Sequence, residues 1–163
     1  MMELRFCEFR AEGDTLEGVA LRYGDEATIG PFRERFEAGS VAISPDAIAN
    51  LQHDRTKPVA RIGAGLEFRD DGTELRAVIQ LPDTAFAREA RELVNARILR
   101  GFSLEFRATE DVWEGKSRSI RKALVTGLGI VDVPAYRQSE IQTRQAVFDQ
   151  VDATRAIKRQ YWY

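Results

Sequence analysis

The chain has 163 residues, 44% hydrophobic and 31% charged, which suits one compact domain with a tail and favours neither a disordered chain nor a membrane protein. Lys and Arg number 24 against 26 Asp and Glu, for a net charge of -2, so charge gives no overall case for a nucleic-acid partner. One cysteine and one histidine exclude an internal disulfide and a Cys/His zinc cluster.

The first residues lack a basic region followed by a long apolar run, and no stretch reaches the roughly 18 apolar residues of a membrane span, so a cytosolic location is expected in the cell that makes the protein. Residues 3 to 9 and 15 to 22 read as two strands separated by the turn Ala11-Glu12-Gly13-Asp14. From Tyr23 to Ser40, glycines and charges interrupt any period, which suggests loop with one short strand. Ser44-Pro45-Asp46 has the pattern of a helix start, predicting a short helix that ends near Leu51. The polar stretch Gln52 to Pro58 follows, then a strand over Val59 to Gly63, so His53 falls at a junction between elements.

Leu66-Glu67-Phe68 and Leu75 to Ile79 flank Asp70-Asp71-Gly72, which predicts a hairpin. After Pro82-Asp83-Thr84, residues Phe86, Ala90, Leu93 and Val94 form one apolar stripe of a helix expected to run on towards Gly101. There the period changes to two. Phe102, Leu104 and Phe106 point one way, and Ser103, Glu105 and Arg107 the other. A further β region through Asp111-Val112-Trp113 turns at Glu114 to Ser117 and resumes from Ser119 to Val133, where Pro134 ends it. Lys116, Arg118, Arg121 and Lys122, the only dense basic cluster, read as the solvated rim of this hairpin. Residues 141–163 read as a tail with weak helical character, closing on Tyr161-Trp162-Tyr163.

Four segments occur in an order that resembles the phage prohead protease family. They are Gly18 to Gly24 with Glu34 to Val41; the histidine segment Leu51 to Gly63, with its His-Asp pair before a proline and a short strand; the serine segment Leu99-Arg100-Gly101-Phe102-Ser103-Leu104-Glu105-Phe106; and the closing segment Ile130 to Tyr136. The resemblance covers roughly residues 15 to 140. It implies an α+β fold with a mainly antiparallel, β-barrel-like core and a few surrounding helices, similar to the herpesvirus assemblin proteases. It makes residues 1–140 the protease domain, with scaffold, the major capsid protein and the protease itself as substrates, inside the assembling procapsid in the host cytoplasm. Dimeric assemblin relatives add the expectation of a homodimer. No cofactor, metal, nucleic acid or membrane enters.

A serine hydroxyl needs a base within hydrogen-bond reach, and histidine is suited by its ordinary pKa. Ser103 is therefore the expected nucleophile and His53 its base. The third member that would orient the imidazole cannot be the second histidine of the herpesvirus enzymes, because this chain has only one. Asp132, in the closing strand beside the family's usual acidic position, is the first choice. Glu105 is the second, sharing the Ser103 face about 6–7 Å along the strand. Asp54 reads as a loop residue and Arg107 as a solvated one. The chain departs from the family pattern twice: Gly127 and Gly129 stand where the closing strand usually carries a glutamate and a serine, and Glu105 stands where a glycine is frequent. The alternative is a catalytically silent module that binds capsid or scaffold. A metal-dependent nuclease is disfavoured, since no carboxylates group around His53 in the sequence.

Overall fold

Among the described residues, ten strands and one helix follow each other: β1 (Phe9–Glu12), β2 (Thr15–Arg22), β3 (Ala27–Ile29), β4 (Phe32–Phe36), β5 (Val41–Leu51), β6 (Asp54–Ile62), β7 (Gly65–Asp70), β8 (Glu74–Gln80), α1 (Ala85–Asn95), β9 (Gly101–Glu114) and β10 (Ser117–Val131). The computed structural model describes residues 9–12 and 14–132; the expected tail, Pro134 and the aromatic C-terminus lie outside them.

The strands form one sheet in the order β1-β2-β8-β7-β6-β5-β10-β4-β3, with β9 on the other side of β10. Neighbours are antiparallel except where β10 meets β4 and β5 and where β6 meets β7. The sheet is mixed and its ladder does not close into a barrel: β2 and β9 approach each other without strand pairing. Where a few surrounding helices were expected, the described residues contain one.

That helix forms as its apolar stripe predicts. Thr84 caps it by accepting from the Ala87 amide at 3.4 Å, and Ala87, Ala90 and Val94 are buried. They join Leu51, Leu81, Phe102, Leu128 and Ile130 in the main core. It stops at Asn95, short of Gly101, because the chain turns back on itself: Arg97 N–H donates to Val94 O and Ile98 N–H to Leu93 O, with Arg97 at φ 59°. These bonds satisfy carbonyls that a helix end would leave open.

The expected helix after Ser44 is a strand. Ser44 Oγ does accept the Asp46 amide at 3.2 Å, the local bond that a helix start would use, but Ala47, Ala49 and Leu51 are buried in alternation along β5. Pro45 is tolerated because β5 leaves the β10 ladder between Ile43 and Ile48, so its missing N–H interrupts no bond there. The Asp70-Asp71-Gly72 hairpin is present. Asp70 accepts from Gly72 N, and Asp71 from Thr73 N and Glu74 N.

The segment around Asp111 is the far half of β9, not a separate strand, and β9 and β10 pair along their whole length. The basic cluster on this hairpin is not uniformly solvated. Arg118 is 3% exposed and binds Glu34 at 2.9 Å and Asp111 at 2.7 Å, with its guanidinium 5.6 Å from the Trp113 ring. β4 lies beside β10 here, so the buried cation ties three strands together. Lys116, Arg121 and Lys122 remain exposed.

Candidate active site

The faces of β9 divide as alternation predicts. Phe102 is buried in the main core and Phe106 packs edge-on against Phe36 at 4.9 Å, which turns Ser103 and Glu105 to the opposite face. β10 runs alongside, and of the register shifts along the ladder the one between Val125 and Gly127 falls at this level. Ala123 and Val125 face the core, but so do Leu128 and Ile130. Thr126 is the inserted residue: Phe106 sits opposite Val125 and Glu105 opposite Gly127, so nothing on β9 faces Thr126. This bulge reverses the parity of β10. Gly127 and Gly129 are thereby brought onto the face that carries Glu105 and Ser103, their respective partners across the ladder.

His53 reaches the same place from the opposite side. β5 and β6 join through a two-residue turn, Gln52-His53, between the paired Leu51 and Asp54. Both turn residues have positive φ, 53° and 60°, the twist that tight hairpins need and that Asn-Gly supplies more easily. Holding a histidine rather than a glycine in this conformation fixes where its ring projects from the turn. Its ring lies over β10: a Cβ on Gly129 would stand 2.7 to 3.0 Å from His53 Cε1, Nδ1 and Nε2. A Cβ on Gly127 would overlap the Glu105 carboxylate and lie 2.9 Å from the Ile48 carbonyl oxygen. The two glycines leave an open floor over which groups from β9 and from the β5–β6 turn can meet.

What meets there is His53 and Glu105. His53 Nδ1 is 2.9 Å from Glu105 Oε1, which also accepts from Asn50 Nδ2 at 2.8 Å, while Oε2 accepts from Arg55 Nη2 at 3.0 Å. Asn50 is fully buried. Burial raises the Glu105 pKa, but hydrogen bonds from His53 and Asn50, together with the His53 and Arg55 charges, outweigh it and hold the group below its ordinary 4.5. An ionised carboxylate can only accept, so the Nδ1 facing it carries the proton, which leaves Nε2 as the nitrogen that presents a lone pair in the neutral imidazole. Nε2 is buried and has no hydrogen-bond partner among the described residues.

Ser103 lies across the ladder from Gly129, on the face over which the imidazole sits. Ser103 is thus a ladder neighbour of the glycine beneath the imidazole, with Cβ positions of directly opposed residues about 5 Å apart; no hydrogen bond joins its hydroxyl to His53 Nε2, and serine–base bonds are often open before substrate binds. Asp132 is elsewhere. It is exposed and accepts from Gln52 Nε2 at 3.3 Å, with neither His53 nitrogen bonded to it. Thus the second-choice carboxylate, not the first, is in contact with the imidazole. The closing strand ends past the histidine and the cross-strand neighbour of Gly127 lies beneath it. Asp54 caps its own loop by accepting from Thr56 N and Oγ1, and Arg107 is exposed. Sequence reasoning missed Asn50 and Arg55. Arg55 lies within the histidine segment and Asn50 just before it, but only the pairing of β5 with β10 and with β6 brings them to Glu105.

Gly127→Ala and Gly129→Ala should each lower any activity of this site on the order of 10²-fold through misplacement of Glu105 or His53. Unfolding free energy should fall by only about 1–3 kcal/mol, and urea titration beside a rate assay checks both. The depressed Glu105 pKa fixes a second expectation. Stability from its bonds is fully present above the unfolded value of 4.5 and is lost as pH falls through the lower folded value. The urea midpoints of the parent and Glu105→Gln should therefore converge as pH is lowered below 4.5; a constant gap would contradict the ionised, bonded carboxylate.

No curated protein and no solved structure gives a significant match to the chain. One family model does, that of the Caudovirus prohead serine protease, over residues 2–154, which extends into the expected tail. With nearly the whole chain matched, the protein belongs to the Caudovirus prohead serine protease family.

Proposed function

We propose that the protein is a serine endopeptidase of procapsid maturation in which Ser103 is the nucleophile, His53 the general base and Glu105 the third member. The observation that carries this reading is the 2.9 Å contact between His53 Nδ1 and Glu105 Oε1 beside Ser103. Ser103 Oγ attacks the scissile carbonyl carbon while His53 Nε2 takes its proton. The imidazolium so formed is stabilised by Glu105, and its proton passes to the leaving amine as the C–N bond breaks. Water, deprotonated by the same imidazole, then hydrolyses the acyl-enzyme and restores the serine.

The two departures from the family pattern answer each other. Glu105 and Gly127 are direct partners across the β9–β10 ladder, so a carboxylate absent from one strand is supplied by the other at the same level of the sheet. A catalytically silent module would draw its main support from the glutamate missing at Gly127, and this exchange removes that support. The substrates in this reading are scaffold, the major capsid protein and the protease itself, met inside the procapsid. The assemblin-like arrangement belongs to this reading as an unpaired approach of β2 to β9 and not as a closed ladder, and self-association remains part of the same proposal. Residues 1–140 form the protease domain and residues 141–163 its tail.

Co-expression with the neighbouring capsid and scaffold proteins, followed by intact-mass measurement, tests the assignment. Ser103→Ala and His53→Ala should each lower cleavage on the order of 10⁶-fold if the pair acts as a unit. Glu105→Gln should lower it on the order of 10⁴-fold, with Asp132→Asn near the parent rate. Unchanged masses with the intact chain, together with binding to the capsid subunit, would instead support the silent module. Loss of activity in Asp132→Asn but not in Glu105→Gln would return the third role to Asp132.

A further inference from the structure

Glu105 has two oxygens with different duties. Oε1 meets His53 Nδ1 and Asn50 Nδ2, whereas Oε2 turns away to Arg55 Nη2 at 3.0 Å. The same Arg55 nitrogen reaches the carbonyl oxygen of Thr126 at 3.3 Å. Thr126 is the residue inserted in β10, and Thr126 Oγ1 lies 3.4 Å from the Glu105 carbonyl oxygen. Arg55 is thus bonded both to the carboxylate that faces the base and to the bulge that sets which face of β10 lies beneath it.

The local chain is shaped to deliver this side chain. Asp54 sits opposite Leu51 and Pro58 opposite Asn50, which leaves residues 55–57 as an excursion outside the β5–β6 ladder, closed by the Asp54 bonds to Thr56. More than half of the Arg55 side chain is exposed, 58%, so it adds little to the core. Charged groups near the histidine in the chain or across the ladder include Asp54, paired with Leu51, Lys57 on the excursion, and Asp132 after β10. Asp54 is committed to Thr56 and Asp132 to Gln52. Among the described residues, Arg55 is the one arginine or lysine bonded to Glu105.

We infer that Arg55 is a positioning residue of the active site, pinning Glu105 Oε2 and the Thr126 bulge as one unit so that Oε1 stays aimed at His53 Nδ1. Without it the carboxylate is held from one side only, by His53 and Asn50 at Oε1, so its plane can tilt away from the imidazole, and the bulge loses a side-chain bond that ties its carbonyl to β6. Both bonds come from the one nitrogen, Nη2, so lysine, which carries the same charge and several donors on a single nitrogen but on a different stem, keeps part of the function. This inference rests on the Ser103–His53–Glu105 reading of the site.

The test uses the full chain with a small alkyl fluorophosphonate, which phosphonylates an activated serine with loss of fluoride, and separates the maximal inactivation rate from the half-saturating concentration. Arg55→Gln should lower the maximal rate about 10–100-fold, with the half-saturating concentration within about twofold of the parent. Arg55→Lys should fall between them. The low-field proton resonance of His53 Nδ1–H, read by NMR without any reagent, should broaden or move upfield in Arg55→Gln while the thermal midpoint is retained. Parent-like rate and resonance in Arg55→Gln would overturn the inference, as would a loss of both that merely follows a collapse of the thermal transition. If the parent itself fails to react, the peptidase reading fails, and the resonance still reports on Arg55 alone.

Discussion

The site depends on one geometric constraint: His53 and Glu105 come from strands on opposite sides of β10 and can touch only if β10 carries no side chains between them. A sheet spaces adjacent strands by about 4.8 Å, so two side chains reaching towards each other across a middle strand must pass over its Cβ atoms. Gly127 and Gly129 remove those atoms where the imidazole and the carboxylate lie. The Thr126 bulge makes this compatible with folding, because it turns the glycines outward while keeping Val125, Leu128 and Ile130 in the core.

Around that floor the protein accepts local penalties. Two consecutive non-glycine residues, Gln52 and His53, hold positive φ, a conformation disfavoured for side chains with a Cβ. Asn50 is fully buried, and its Oδ1 has no partner among the described residues, a burden of about 1–3 kcal/mol for such a group. Both features sit within hydrogen-bond reach of Glu105 or carry its partner. Structure elsewhere compensates: the core joining α1, β9 and β10, and the Arg118–Glu34–Asp111 cluster that fastens β4 to the β9–β10 hairpin.

Much of this was legible in the sequence where short-range patterns decide it. The α1 stripe, the Asp70-Asp71-Gly72 hairpin and the two-residue period that turns Ser103 away from Phe102 are all properties of neighbouring residues, and the structure bears them out. Ser44-Pro45-Asp46 misled because the local serine bond is real but the segment's fate is set by burial of Ala47, Ala49 and Leu51. The open ladder and the parallel neighbours of β10 depend on long-range pairing, which local pattern does not encode. At the site, the unusual positions of Glu105 and Gly127 were visible separately. That they are partners follows only from a register shifted by one residue at Thr126.

The most direct measurement of the central claim is the chemical identity of the residue that an alkyl fluorophosphonate modifies in the full chain, read by peptide mapping. The account predicts a single adduct on Ser103 that is absent in His53→Ala. An adduct on another serine, or equal labelling of Ser103 with and without His53, would contradict it.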